Sequence, residues 1–112
     1  MNIDQLTIRE AKELSQMFFT QKTADSSAWE VGKNYLIRTV TMIDTGRLVA
    51  VTEHELVLED AAWIADTGRF ADAVAGRIEF NEVEPFPQGR VVVGRGAVID
   101  AVQINTLPRE QR

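Results

Sequence analysis

Apolar residues recur at two different spacings along this chain. Residues 7–18 carry apolar side chains at helical intervals, behind a Thr7–Glu10 pair that fits a capping box. From Tyr35 onward the alternation has a period of two, which is typical of a strand with two different faces. The pattern predicts three segments in order: an N-terminal helix over residues 1–19, a polar linker over residues 20–32 and a β region over residues 33–105.

Short polar signals divide the β region into about five strands. Residues 44–46 and 66–68 are both Asp-Thr-Gly, and each predicts a turn because Asp bonds its own backbone and Gly tolerates positive φ. Residues 53–55 predict a tight reversal, so the strands on either side pair antiparallel. Residues 70–75 predict a short helical insertion, and residues 106–112 a frayed tail. The predicted fold class is mainly β: one domain over residues 1–112, a bent five-stranded antiparallel barrel with an N-terminal helix.

Composition narrows the chemistry of the chain. The 112 residues carry a formal charge of −5 and contain no cysteine, which excludes disulfides and thiolate zinc sites. His54 is the single histidine, so one chain has no multi-histidine metal site. The apolar runs are too short to predict a membrane span, and we expect an intracellular protein. Acidic residues concentrate in residues 53–87, and a basic ribbon is predicted from Arg38, Arg47, Arg90 and Arg95.

Two stretches resemble the Sm/LSm family. Residues 46–48 (Gly-Arg-Leu) and 56–61 (Leu-Val-Leu-Glu-Asp-Ala) are similar to its first motif, and residues 91–98 (Val-Val-Val-Gly-Arg-Gly-Ala-Val) are similar to its second. The resemblance implies a small, SH3-like barrel whose open edges pair between copies, so that a homo-oligomeric ring closes.

The whole chain also resembles small proteins encoded by tailed phages and prophages. The similarity lies in residues 6–8 (Leu-Thr-Ile), 37–41 (Ile-Arg-Thr-Val-Thr), 45–51 (Thr-Gly-Arg-Leu-Val-Ala-Val) and 107–110 (Leu-Pro-Arg-Glu). It implies a phage accessory protein in the cytoplasm of a bacterial host.

The ligand site is predicted from the same motifs. Thr52 and Glu55 stand where the Sm family has the Asp and Asn of its uridine pocket, and an ionised Glu only accepts hydrogen bonds. We therefore predict a small anionic, nucleotide-like ligand at subunit boundaries, with sequestration of a host immune signal as one use. Arginines would hold phosphate, glycines would allow close approach, and aromatic rings would stack. The predicted ligand-binding residues are Arg95, Gly94, Gly96, Arg47, Arg38, Thr52, His54, Glu55, Trp63 and Tyr35.

Two other functions stay open at this stage. One is a ring that binds single-stranded RNA, as the family resemblance implies; the other is a virion or assembly component without a ligand. No cofactor and no metal are predicted.

Catalysis is the weaker interpretation. Asp44 or Asp66 would have to act as in an aspartic protease, but Arg47 and Arg69 follow the two motifs and would favour ionised carboxylates. We predict that the chain is not an enzyme. His54 as a metal ligand within an oligomer is an alternative to a solvated side chain. A hard-cation site is likewise an alternative to a solvated acidic face for Asp60, Glu79, Glu82 and Glu84.

Overall fold

The computed structural model describes residues 27–112. The predicted N-terminal helix and most of the predicted linker lie outside these described residues. Trp29 anchors the remaining linker by packing its ring edge-on against Tyr35, with the ring centroids 5.1 Å apart. The elements, in chain order, are β1 (Asn34–Thr39), β2 (Ile43–Val51), β3 (Glu55–Asp66), α1 (Phe70–Val74), β4 (Glu82–Pro85), β5 (Val91–Gly94), a 3₁₀ turn (Arg95–Ala97) and β6 (Val98–Gln103).

The predicted mainly antiparallel β architecture is confirmed. The strands form one sheet in the order β4-β3-β2-β1-β6, and β5 also pairs with β3. The alternation at Ile78 and Phe80 predicts a strand over residues 78–83, but the observed β4 begins only at Glu82. β4 and β5 share one edge of β3. Six strands replace the five predicted, because the 3₁₀ turn Arg95–Ala97 separates β5 from β6. No helix within residues 27–112 has the length and apolar character needed to cross a bilayer.

The two Asp-Thr-Gly motifs adopt different structures. Asp66 forms the predicted turn, with its Oδ1 accepting a hydrogen bond of 2.8 Å from the Gly68 N–H. The same prediction is wrong at Asp44, which lies inside β2. The chain reverses earlier, where the Thr39 N–H donates to the Met42 carbonyl at 2.7 Å and the Met42 N–H donates to Thr39 Oγ1 at 3.0 Å. A threonine that closes the turn with its own hydroxyl thus replaces the expected Asp-Gly pair.

The sheet buries a core on each of its faces. The first core contains Tyr35, Ile37, Leu48, Leu56, Leu58, Ala61 and Val93. The second core contains Leu36, Ala62, Ile64, Ala73, Phe80, Val83 and Ile104, and α1 contributes to its cover through Ala73. Successive residues of a strand point to opposite faces. On β1, Tyr35 and Ile37 therefore enter the first core and Leu36 enters the second, so both faces of this strand are apolar.

A bulge in β3 explains how one strand lines both cores. Leu58 faces the first core and Ile64 the second, although both positions are even-numbered. The register with β2 advances by three residues on β3, from Glu59 to Ala62, while β2 advances by two. Asp60 is the extra residue, and its φ of 52° lies in the left-handed region, which Asp tolerates better than most residues. The bulge therefore reverses the inward-facing set of side chains midway along β3.

The prediction of a frayed tail over residues 106–112 is wrong, because these residues are bound to the sheet. Residues 107–112, which we call the strap, return to β4, where the Arg112 N–H donates to the Val83 carbonyl at 3.0 Å. Arg109 Nη1 donates to the Ala61 carbonyl at 2.7 Å, and Leu107 packs against the second core. Backbone hydrogen bonds and a partly buried leucine give this charged segment a defined place.

β2 and β3 approach closely at Gly46, beside the bulge, and the variant Gly46→Ala tests this approach. A Cβ at this position would lie 2.9 Å from the Leu58 Cβ and 3.3 Å from the Ala61 Cβ. We expect Gly46→Ala to destabilise the fold by about 1–3 kcal/mol, which is the usual cost of overpacking. Urea denaturation measures the change. Gly94→Ala is the matched control, since a Cβ there meets no atom within 4 Å, and equal losses in both variants would contradict the prediction.

Candidate functional site

Two loops meet at the beginning of β3. The reversal between β2 and β3 is closed by Thr52, whose Oγ1 accepts a hydrogen bond of 3.0 Å from the Glu55 N–H. The 3₁₀ turn after β5 lies against it, because Glu55 pairs with Gly94 in the β3–β5 ladder. We call residues 52–55 and 94–96 the loop junction. It brings together six of the ten predicted ligand-binding residues: Thr52, His54, Glu55, Gly94, Arg95 and Gly96.

Arg95 connects the two loops of the junction. Its backbone N–H donates to the His54 carbonyl at 2.9 Å, and its Nη1 donates to the Thr52 carbonyl at 2.7 Å. Its Nε and Nη2 make no hydrogen bond to any residue between 27 and 112. These contacts orient a guanidinium at the surface and leave two of its nitrogens for a bound group. Arginine forks of this kind suit phosphate and carboxylate oxygens.

The remainder of the junction is open and partly acidic. A Cβ at Gly94 or Gly96 would meet no atom within 4 Å, so the backbone there is accessible from outside the chain. The side chains of His54 and Glu53 are exposed, and His54 Nε2 lies 3.9 Å from Glu53 Oε2. Thr52 has a structural role here, because its hydroxyl is occupied by the turn.

The other arginines of the predicted basic ribbon are neutralised by carboxylates. Arg38 pairs with Asp100, and the hydrogen bond from Arg38 holds the pKa of that carboxyl below its ordinary value. Arg47 binds the bulge residue Asp60 at 2.7 Å and Glu59 at 2.9 Å, and Glu59 also accepts from Arg90 at 3.1 Å. Arg47 lowers the pKa of Asp60 in the same way. These arginines hold the sheet together, and Arg95 differs from them because its protein partners are carbonyl groups.

The two predicted stacking residues lie apart from the junction. Tyr35 is 4% exposed in the first core, and its Oη accepts a hydrogen bond of 2.9 Å from the Glu30 N–H, so its ring is enclosed by the protein. Trp63 is 40% exposed near the far end of β3. It lines an open groove of about 430 Å³ together with Met42 and Ile99. Stacking by Tyr35 is excluded by its burial, and Trp63 belongs to a different surface from Arg95.

Most of the carboxylates that the sequence offers as a hard-cation site have a partner side chain within the chain. Glu79 contacts Arg112, Glu84 accepts from Gln111 at 3.1 Å, and Asp60 contacts Arg47. Between residues 27 and 112, no three His, Asp or Glu side chains converge as a metal site would require. The strap arginines that take part were not predicted. The signal that points to them is the basic segment after Leu107, opposite in charge to residues 79–84.

Asp44 is buried, and no basic side chain in the described part of the chain forms an ion pair with it. It is 8% exposed and lies between Ile37 on β1 and Trp63 on β3. Desolvation raises the pKa of its carboxyl above the ordinary value, because burial disfavours the charged form. The expectation that Arg47 would keep Asp44 ionised is wrong, since Arg47 turns to Glu59 and Asp60 instead. The adjacent Thr45 is also buried, and its Oγ1 has no hydrogen-bond partner within the described residues.

Two strand edges of the described sheet are unpaired. No residue between 27 and 112 pairs with the outer edge of β5 or with the outer edge of β6. Both edges expose apolar side chains, with Val92 at 55% and Ile99 at 65%. An open edge with apolar residues is a template for pairing with another chain.

Comparisons with known proteins identify two similar solved structures. No protein-family model and no curated protein match the sequence. A heptameric archaeal Sm protein is 25% identical and superposes with a TM-score of 0.46, over 67% of this chain and 90% of that chain. The P. aerophilum SmAP1 heptamer is 24% identical and superposes with a TM-score of 0.47, over 68% of this chain and 84% of that chain.

Asp44→Asn tests the burial of the acid. The raised pKa means that the folded state retains the Asp44 proton to higher pH than the unfolded state does. Stability from this group is therefore complete below its ordinary pKa and is lost as pH rises through the folded-state value. We expect Asp44→Asn to raise the melting temperature at about pH 7 and to have little effect near pH 3. Asp66→Asn is the control, because Asn also accepts in this turn; equal melting curves for wild type and Asp44→Asn at neutral pH would contradict the analysis.

Proposed function

We propose that this chain assembles through β5 and β6 into a closed ring that binds single-stranded RNA at the loop junction. The observation that carries the proposal is Arg95, held by the His54 and Thr52 carbonyls with two nitrogens left over. The β5 and β6 edges supply the assembly, and Arg95 supplies the contact to the ligand.

The two open edges suit each other as partners. β5 offers four residues and β6 offers six, and each edge presents an exposed apolar side chain beside its free backbone groups. Antiparallel pairing of β5 with β6 of the next copy satisfies both edges at once, and antiparallel ladders are slightly more stable than parallel ones. Because the two edges differ, the contact is head-to-tail, and such contacts form a ring when the rotation between successive copies closes.

Assembly also compensates for the small charge of each site. One Arg95 next to Glu53 and Glu55 gives a single chain little attraction for a polynucleotide. A ring repeats the junction once per subunit, so a strand that contacts several copies gains affinity from each. The backbone at Gly94 and Gly96 is open enough for a nucleotide to approach.

A second candidate is the compact nucleotide-like ligand expected from the sequence, in a phage accessory role. The observation that favours it is that Arg95 has no carboxylate partner among residues 27–112 while the rest of the junction is acidic, which suits one or two phosphates better than a long strand. Calorimetry with cyclic dinucleotides and ADP-ribose tests it. Binding of these ligands without binding of RNA would favour the second candidate over the first.

Val92→Glu tests the assembly. This side chain is exposed in one chain, so the fold is expected to persist, while a carboxylate at the edge opposes burial between copies. We expect native mass spectrometry to show a shift from oligomer to monomer. Val31→Glu is the matched control, since Val31 is 61% exposed and lies outside both edges. A wild-type protein that is monomeric at all working concentrations would refute the ring.

Arg95→Ala tests the RNA contact. We expect the affinity for fluorescent oligo-U to fall by about tenfold or more, with a shallower dependence on salt, because each subunit loses a phosphate contact. Arg77→Ala removes the same charge from the α1 region, where Arg77 pairs with Asp72, and is expected to bind like wild type. Equal losses in the two variants would show that net charge, rather than the junction, governs binding.

A further inference from the structure

The strap covers the outer edge of β4 in the same chain. Arg112 and Val83 exchange two backbone hydrogen bonds, of 3.0 and 3.2 Å, which is the pattern of an antiparallel pair. Arg109 reaches past the end of β4, where its Nη2 donates to the Phe86 carbonyl at 3.3 Å. The strap thus satisfies the backbone of Val83 on the outer edge of β4, on the half of the edge that precedes β5.

Charge and side-chain contacts match the strap to this edge. β4 carries Glu84, which accepts from Gln111 of the strap, and the segment before β4 carries Glu79, which pairs with Arg112. Each of these side chains is exposed. The β4 edge is therefore a docking surface for a basic extended segment, and nothing in these contacts depends on the segment belonging to the same chain.

The position of the strap after β6 gives it a second possible partner. If β5 of a neighbouring copy pairs antiparallel with β6, the β4 of that neighbour lies beyond the C-terminal end of β6, where the strap begins. One register of this pairing places Val92 of one copy opposite Gln103 of the next. Val83 precedes Val92 by nine residues, and Arg112 follows Gln103 by nine residues. The same register, carried on, brings Val83 opposite Arg112, which is the pair seen within one chain.

Both strands are also interrupted in the corresponding interval. Residues 86–90 separate β4 from β5, and bends at Asn105 and Thr106 separate β6 from the strap. The bends direct the strap back to its own β4.

We propose that the strap is exchanged between subunits: in the assembled ring, residues 107–112 leave the β4 of their own chain and pair with the β4 edge of the next copy. The proposal rests on the ring proposed above. The bonds made in exchange are the same as those lost, which makes swapping of this segment inexpensive. Exchange would extend each subunit contact from the β5–β6 ladder to β4, and it would add the Glu79–Arg112 and Glu84–Gln111 contacts to the interface.

Disulfide trapping distinguishes the two arrangements, because the chain has no cysteine of its own. Glu84→Cys is prepared on a copy carrying a large tag and Gln111→Cys on an untagged copy. The two are mixed, allowed to assemble and oxidised. We expect a covalent heterodimer of tagged and untagged chains as the main oxidised product. Glu53→Cys mixed with Gln111→Cys is the control for random collision, and it is expected to give little heterodimer.

The double variant E84C/Q111C completes the test. Exchange predicts that disulfides link this variant into chains of two, three and more copies. A strap that stays on the β4 of its own chain gives single chains with an internal disulfide. Native mass spectrometry of the same samples separates the two proposals. Intact oligomers with only internal disulfides would overturn the exchange and leave the ring standing, and monomers with internal disulfides would overturn both.

Discussion

The bend in β3 at Asp60 is the constraint on which the rest of the structure depends. A single residue with positive φ reverses which side chains face inward, so one twelve-residue strand contributes to both cores. Gly46 allows the facing strand to follow the bend, and Arg47 holds the bulge through two carboxylates. The beginning of β3 then pairs with β5 and its end with β4, which places the loop junction at one end of the strand and the strap along the other.

This arrangement explains why three of the four arginines in the predicted basic ribbon are not free to bind a ligand. Arg38, Arg47 and Arg90 each form an ion pair with a carboxylate on a neighbouring strand, so their charge is neutralised within the fold. Arg95 is held by carbonyl groups, which orient it without neutralising it. Function is therefore better judged from what an arginine is bonded to than from how many arginines a segment contains.

Local signals in the sequence predict the elements that local chemistry decides. The turn at Asp66, the helical insertion from Phe70 and the reversal at Thr52 depend on residues within a few positions of one another. The junction was predicted from the Arg-Gly motif and from the loop after β2, which the β3–β5 ladder brings together. Asp44 has the same Asp-Thr-Gly motif as Asp66, but its flanking residues pair with β1 and β3, and this long-range pairing overrides the turn propensity. The strap and the bulge were missed for the same reason, since Val83 and Arg47 decide them from a distance in the chain.

The shared strand also governs how the protein loses its structure. Leu56 and Leu58 wall the first core while Ala62 and Ile64 wall the second, and all four belong to β3. If β3 detaches and opens one core, the other core also loses the β3 side chains that pack in it. The two hydrophobic layers are consequently a single cooperative unit, in which melting of one entails melting of both.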